Sequence, residues 1–249
     1  DWSSDVCSSD LIDHIGAAVL ARLLMVNGLG ELDQTNTDAI MQWLSANGAL
    51  YWMYTVMRMI GRVAFPIFCF LLVEGFLHTH DVKKYAMRLG LFALLSEIPF
   101  DLAFSSKILE FNYQNVFFTL FIGLLTMIAY RAVEEKEEWN QALKVILYIL
   151  IVAAGMALAY FLKTDYAEKG VFCIMVLYIF RKKKMWQIIA GCASFIWETP
   201  ALFGFIPIAF YNGTRGWKMK YFFYIFYPAH LLILYLLCYF MGISGYSAV

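Results

Sequence analysis

Charge is what this chain has least of. Only 15 % of its 249 residues are Asp, Glu, Lys or Arg, whereas 62 % are hydrophobic and 18 % aromatic; an ordinary soluble domain carries about 25 % charged residues. A soluble fold has no interior large enough to hide that apolar surface. The chain therefore reads as all-α, a polytopic transmembrane helix bundle surrounded by membrane lipids, with no separate soluble domain. An excess of either sign is missing too, since 19 basic residues balance 19 acidic ones, so no global field calls for nucleic acid as a partner. The five cysteines, Cys7, Cys69, Cys173, Cys192 and Cys238, have no Cys-x-x-Cys or Cys/His ligand spacing. Neither a disulfide framework nor a metal site is expected from them. Linkers, low-complexity tracts and repeats with a period of roughly 20–50 residues are also absent.

Residues 1–11, DWSSDVCSSDL, are polar and stop abruptly at the apolar run that begins with Ile12. The string reads as the translation of a sequencing-adapter oligonucleotide and is set apart as non-native. On that reading the first helix is truncated at Ile12, and residues 12–249 form a single domain.

A membrane helix needs about 20 apolar residues. Candidate spans fall at 12–26, 52–77, 85–104, 115–130, 143–162, 169–180, 185–199, 200–211 and 221–242, which predicts about nine helices. Short cytoplasmic loops carry an excess of Lys and Arg. Alternate loops hold Lys83 and Lys84; Arg131, Lys136 and Lys144; Arg181 to Lys184; and Arg215, Lys218 and Lys220, while the intervening loops hold only Lys107, Lys163 and Lys169. The alternation predicts a cytoplasmic N-terminus and, for an odd count, an external C-terminus. The stretch 27–47 lacks Lys and Arg, fits the outer side, and predicts a short interfacial helix at Asp38 to Ala46.

Ionisable groups within such spans are costly and mark pairing or function. Those that stand out are Asp13 and His14, Arg58, Arg62 and Glu74, Glu97 and Asp101, Glu198, and His230. Arg58 and Arg62 are four apart, so they project from one helical face as a paired cationic site. Two guanidiniums so placed require anions. Glu97 and Asp101 on the next helix could supply them, as could an anionic ligand. Pro66 follows Arg62 by four residues and predicts a kink. His14 beside Asp13 reads either as a satisfied structural histidine or as a general base. Asp13 need not touch it, because adjacent helical residues diverge by about 100°. His230 reads on spacing as a structural hydrogen-bonding group. His78 and His80 lie at a helix end, and Tyr211-Asn212-Gly213 reads as a turn.

Seven runs in order carry a family resemblance: Ile12-Asp13-His14-Ile15-Gly16; Arg58-Met59-Ile60-Gly61-Arg62 with Ala64-Phe65-Pro66-Ile67-Phe68; Glu74-Gly75-Phe76; Ser96-Glu97-Ile98-Pro99-Phe100; Asn115-Val116-Phe117-Phe118-Thr119-Leu120; Tyr211-Asn212-Gly213; and Tyr224 to Leu231. Together they resemble the TraX family, named for a conjugation-linked membrane protein that acetylates the N-terminus of pilin. More distantly, they resemble the multi-span membrane acyltransferases of envelope molecules. The resemblance implies an acyltransferase in a bacterial inner membrane, using acetyl-CoA as donor and no metal. Its acceptor would be the amine or hydroxyl of a pilin-like protein or envelope glycan. His14 would be the catalytic base with Asp13 as orienter. Arg58, Arg62 and Arg215 would bind the CoA phosphates, and Glu74, Glu97, Tyr211, Asn212 and His230 would line the site. The competing expectation is a non-enzymatic membrane component or a small-solute transporter, whose intramembrane charges form a path. No inverted repeat supports transport.

Overall fold

Apolar segments in lipid must satisfy their backbone internally, and helices do so within one segment. The computed structural model of the chain describes residues 2–33, 35–213 and 220–246. It is built from α1 (Trp2–His14), a π-helical stretch (Ile15–Leu20), α2 (Ala21–Val26), α3 (Thr37–Arg62), α4 (Ala64–His78), α5 (Val82–Ser105), α6 (Val116–Glu134), α7 (Gln141–Phe161), α8 (Ala167–Ile179), α9 (Lys184–Ser194), a 3-10 stretch (Thr199–Gly204) running into α10 (Phe205–Phe210), and α11 (Lys220–Phe240). Joining α1 to α2, α3 to α4 and the 3-10 stretch to α10 leaves nine long helical runs among the described residues, each overlapping one expected span. No strand occurs among the described residues; Gln114 and Thr164 form an isolated bridge. Three runs, Thr37–His78, Val116–Glu134 and Gln141–Phe161, are long and apolar enough to cross a membrane. The chain is a membrane protein, and among the described residues there is no separate soluble domain.

The second run differs from the expected span at 52–77. It starts at Thr37, where the Asn36 side chain accepts a hydrogen bond from the Ala39 amide at 3.1 Å and so satisfies an N-terminal donor. The 26 residues of α3 alone reach about 39 Å at about 1.5 Å each, more than the hydrocarbon thickness of about 30 Å. The expected interfacial helix at Asp38 to Ala46 is thus the first part of this long helix. Hydropathy marks where lipid begins; capping marks where the helix begins. The run changes from α3 to α4 at Val63. Pro66, three residues on, has no N–H for the Arg62 carbonyl, which is the cause of the break. The seventh span likewise stops early, at Ser194, where the Phe195 amide is shared between the Gly191 and Cys192 carbonyls, a three-centre bond common at helix ends.

The chain divides into two compact units: one of Asp1–Ala64, Ile98–Glu110 and Arg215–Val249, the other of Phe65–Glu97 and Phe111–Thr214. In the first, α1, the π-helical stretch and α2 pack on α3, and α11 packs on α1 and the π-helical stretch. In the second, α6, α7 and α8 pack on one another, and α8 continues the contact to α9. That second unit closes on small residues. Gly123 faces Ile174, Gly155 faces Thr126, Gly170 faces Thr119 and Gly191 faces Phe205, each so near that a β-carbon would collide. Helices in lipid associate largely through such packing, since burial of apolar surface gives no drive there. All five cysteines are free thiols, and Cys69, Cys173 and Cys238 are wholly buried fillers. Outside the spans, Asp81 accepts from the Lys84 amide at the start of α5, and that bond holds its carboxyl below the usual range.

Candidate active site

His14 is the last residue of α1, and the helix widens into π geometry directly after it. Such a bulge inserts a residue into the ladder and re-aims the side chains beside it. Two glycines seat this stretch on α3. Gly16 lies against Met57 and Arg58, and Gly61 lies so close to Asp13 that any β-carbon on it would overlap the Asp13 side chain. Gly61 thereby admits Asp13 to the face of α3, where Asp13 Oδ2 accepts from Arg58 Nη1 at 2.8 Å. Both partners of this ion pair are partly exposed. Arg62 follows one turn later, half-buried at the end of α3.

His14 itself is 8 % exposed. Phe104 and Tyr227 stand edge-on to its ring at 5.5 and 5.6 Å between centroids. Its Nδ1 lies 2.6 Å from His230 Nε2, and the two rings are 15° from coplanar with centroids 4.9 Å apart. An approach that short between nearly coplanar rings is an edge-to-edge hydrogen bond. His230, also buried, places its Nδ1 2.8 Å from the Phe226 carbonyl one turn back on α11. Asp10 Oδ2 stands off at 3.7 Å from His14 Nδ1 and 3.8 Å from His230 Nε2.

Asp10, His14 and His230 present ligand atoms within 4.8 Å of one another, which raises the question of a metal. Two nitrogens on one tetrahedral zinc ion, at about 2.0–2.1 Å each, stand about 3.3 Å apart. The observed 2.6 Å is shorter than that and is a hydrogen-bond distance. Asp10 stands beyond hydrogen-bond distance of both imidazoles, so the site is described by Asp13, His14, Arg58 and His230.

The same unit holds a charge that the sequence reading passed over. Arg22 on α2 is fully buried. Its Nε donates to the Tyr246 carbonyl at 2.8 Å, Nη1 to the Ala18 and Ala103 carbonyls at 2.9 and 2.5 Å, and Nη2 to Ser106 Oγ at 3.0 Å. A guanidinium so fully engaged ties α2, the end of α5 and the segment after α11 together. The signal was available: an arginine between Ala21 and Leu23 in an apolar run meets the same rule that singled out Arg58.

The carboxylates that could have served the arginines have other partners. Asp101, 1 % exposed, accepts from the Glu110 amide at 2.8 Å. In the second unit, Glu97 accepts from the Asn115 amide at 3.3 Å and from the Asn115 side chain. Arg58 is paired with Asp13, so Asp13 is bonded to Arg58 and His14 to His230, and the hydrogen-bond partner of His14 is not its sequence neighbour. Glu74, Tyr211 and Asn212 also lie in the second unit. There Glu74 is 3.8 Å from exposed His78, and Tyr211 stands edge-on to Phe70 at 5.2 Å. Glu198 precedes the 3-10 stretch, where its backbone carbonyl accepts from the Ala201 amide at 2.9 Å. Arg215 lies outside the described residues.

Helical spans around a buried, hydrogen-bonded histidine pair with a neighbouring arginine define a multi-pass membrane protein with an interior polar site. A family model described as TraX protein matches residues 9–238, and the chain belongs to the TraX family. It is similar to the "Probable fimbrial assembly protein FimC, serogroup H1" of Dichelobacter nodosus, with 27 % identity over 208 residues, covering 74 % of this chain and 83 % of that protein. No solved structure matches it.

Proposed function

We propose that this chain is a pilus-associated acyltransferase of a bacterial inner membrane, moving an acetyl group from acetyl-CoA to an amine or hydroxyl of an envelope acceptor. The observation that carries this reading is His14, a buried imidazole held by a hydrogen bond of 2.6 Å one residue from an Asp–Arg ion pair. The resemblance to acetylating relatives and the pilus-related name of the Dichelobacter protein support it. Alternating basic loops and an odd number of runs support a cytoplasmic N-terminus, an external C-terminus and donor entry from the cytoplasm.

The reaction needs a base and an anion site. His14 takes the proton of the acceptor N–H or O–H as that heteroatom bonds to the acetyl carbonyl carbon. The carbon–sulfur bond then breaks, and the proton passes from His14 to the departing thiolate. Acetylated acceptor and free CoA thiol are the products. Arg58 spends one N–H on Asp13 and keeps four of its five donors, and Arg62 stands one turn away. The pair suits the phosphates of CoA, for which planar guanidinium donors are well matched. Arg215 in the basic stretch 215–220 suits the same anion.

The test is transfer of radiolabelled acetyl from acetyl-CoA by the full chain in liposomes, offered a pilin N-terminal peptide and a glycan in turn. Label is expected on one of the two, and His14→Ala is expected to lose it. Turnover unchanged in that variant removes His14 from the mechanism. Solute flux without any acetyl-CoA-dependent thermal shift replaces the enzyme with a transporter.

A further inference from the structure

The hydrogen bonds around His230 carry a consequence for His14. A carbonyl oxygen can only accept, so the 2.8 Å contact between His230 Nδ1 and the Phe226 carbonyl puts a proton on Nδ1. A neutral imidazole with Nδ1–H has its lone pair on Nε2. His230 Nε2 must therefore accept, and the atom that donates to it is His14 Nδ1, 2.6 Å away. That in turn leaves the lone pair of His14 on Nε2. A three-member chain, Phe226 carbonyl to His230 to His14, thus selects one tautomer of His14 from one backbone oxygen.

We propose that His230 is the positioning residue of this site, fixing His14 as the Nδ1–H tautomer so that Nε2 is the nitrogen that takes the acceptor proton. The proposal rests on the acyl-transfer reading of His14. When Nε2 gains a proton, Nδ1 keeps its own and still donates to His230 Nε2, and His230 Nδ1 still donates to Phe226. No hydrogen bond has to reverse during the cycle. A partner that orients a histidine and holds its tautomer does the work that a carboxylate does in a hydrolase triad. Here a second neutral imidazole does it, which avoids a further charge in the membrane interior. Asp10, at 3.7 and 3.8 Å, lies beyond hydrogen-bond reach and takes no part in the chain.

The experiment has two arms on the full chain in detergent or nanodiscs. In the first, 15N-histidine NMR, assigned through His14→Ala and His230→Phe, reads the tautomer directly; His14 is expected with Nδ1 protonated and Nε2 bare. His14 found protonated on Nε2 in the neutral protein overturns the proposal, and this readout needs no activity. In the second, His230→Phe keeps the ring and removes the acceptor, while His230→Gln keeps an acceptor oxygen. His230→Phe is expected to lower kcat by about 10²–10⁴ with KM for acetyl-CoA within twofold, the range for losing a correctly placed base, and His230→Gln to recover at least tenfold of that. A kcat within threefold of the parent in His230→Phe, or a loss carried by KM alone, overturns it. Failure of the acyl-transfer reading itself shows differently, as unchanged turnover in His14→Ala or no turnover in the parent, with the NMR arm still deciding the His14–His230 bond.

Discussion

The two compact units solve the problem of a membrane interior in opposite ways. The second, built on α6 to α9, closes on glycines against Ile174, Thr126, Thr119 and Phe205, and on stacked rings such as Tyr130 on Tyr148 with centroids 4.0 Å apart. Its ion pair of Arg181 with Glu134 at 2.6 Å involves a partly exposed carboxylate. The first unit buries Arg22, His14, Asp101 and His230 among its helices. A buried polar group is tolerated best when its partners are in place, and in the first unit each of these residues has a named one, Asp101 through one of its two carboxylate oxygens. The contrast shows where the buried ionisable groups lie: the second unit closes on small residues and rings, and the first holds the buried arginine and the histidine pair on which the proposed function rests.

Breaking the polar unit should cost most. Arg22→Leu leaves the Tyr246 and Ala103 carbonyls and Ser106 without their donor, and is expected to destabilise the fold by about 3 kcal/mol, read as a lower thermal midpoint in detergent. An unchanged midpoint would mean that the guanidinium is not a tie. Overpacking the scaffold comes next. Gly155→Leu must displace Thr126 and is expected to cost about 2 kcal/mol, with kcat per folded molecule unaltered; a fall in kcat would show that the scaffold is part of the chemistry. Gly61→Ala sharpens the boundary from the other side, since its β-carbon pushes Asp13 away from Arg58. About a tenfold rise in KM for acetyl-CoA is expected, equivalent to about 1.4 kcal/mol, and no change in KM would separate Arg58 from donor binding. Smallest is Glu134→Gln, which loosens a partly solvated pair and should shift stability by less than about 1 kcal/mol.

Much of this fold is legible in the residues. Hydropathy locates the nine runs, of which three among the described residues have the length and composition that lipid asks of a span. The ends are less legible: Asn36 starts a helix fifteen residues before the lipid-compatible stretch at 52–77, and no hydropathy window sees a cap. Within the site, the spacing of Arg58, Gly61 and Arg62 shows a cationic helical face but not its counter-ion. Glu97 and Asp101 were equally eligible by spacing, and only the packing of α1 on α3 selects Asp13. The His14–His230 bond joins residues 216 apart in sequence. Periodicity along one helix carries no information about which other helix lies beside it, so both histidines could be singled out while their bond could not.

The proposed function stands or falls with His14 as the base for acetyl transfer. The most direct measurement is release of free CoA thiol by proteoliposomes of the full chain, parent beside His14→Ala, at matched amounts of folded protein and with acceptor present. Thiol release in the parent that falls by at least about 10² in His14→Ala is the expected result. Equal release by the two proteins would contradict it.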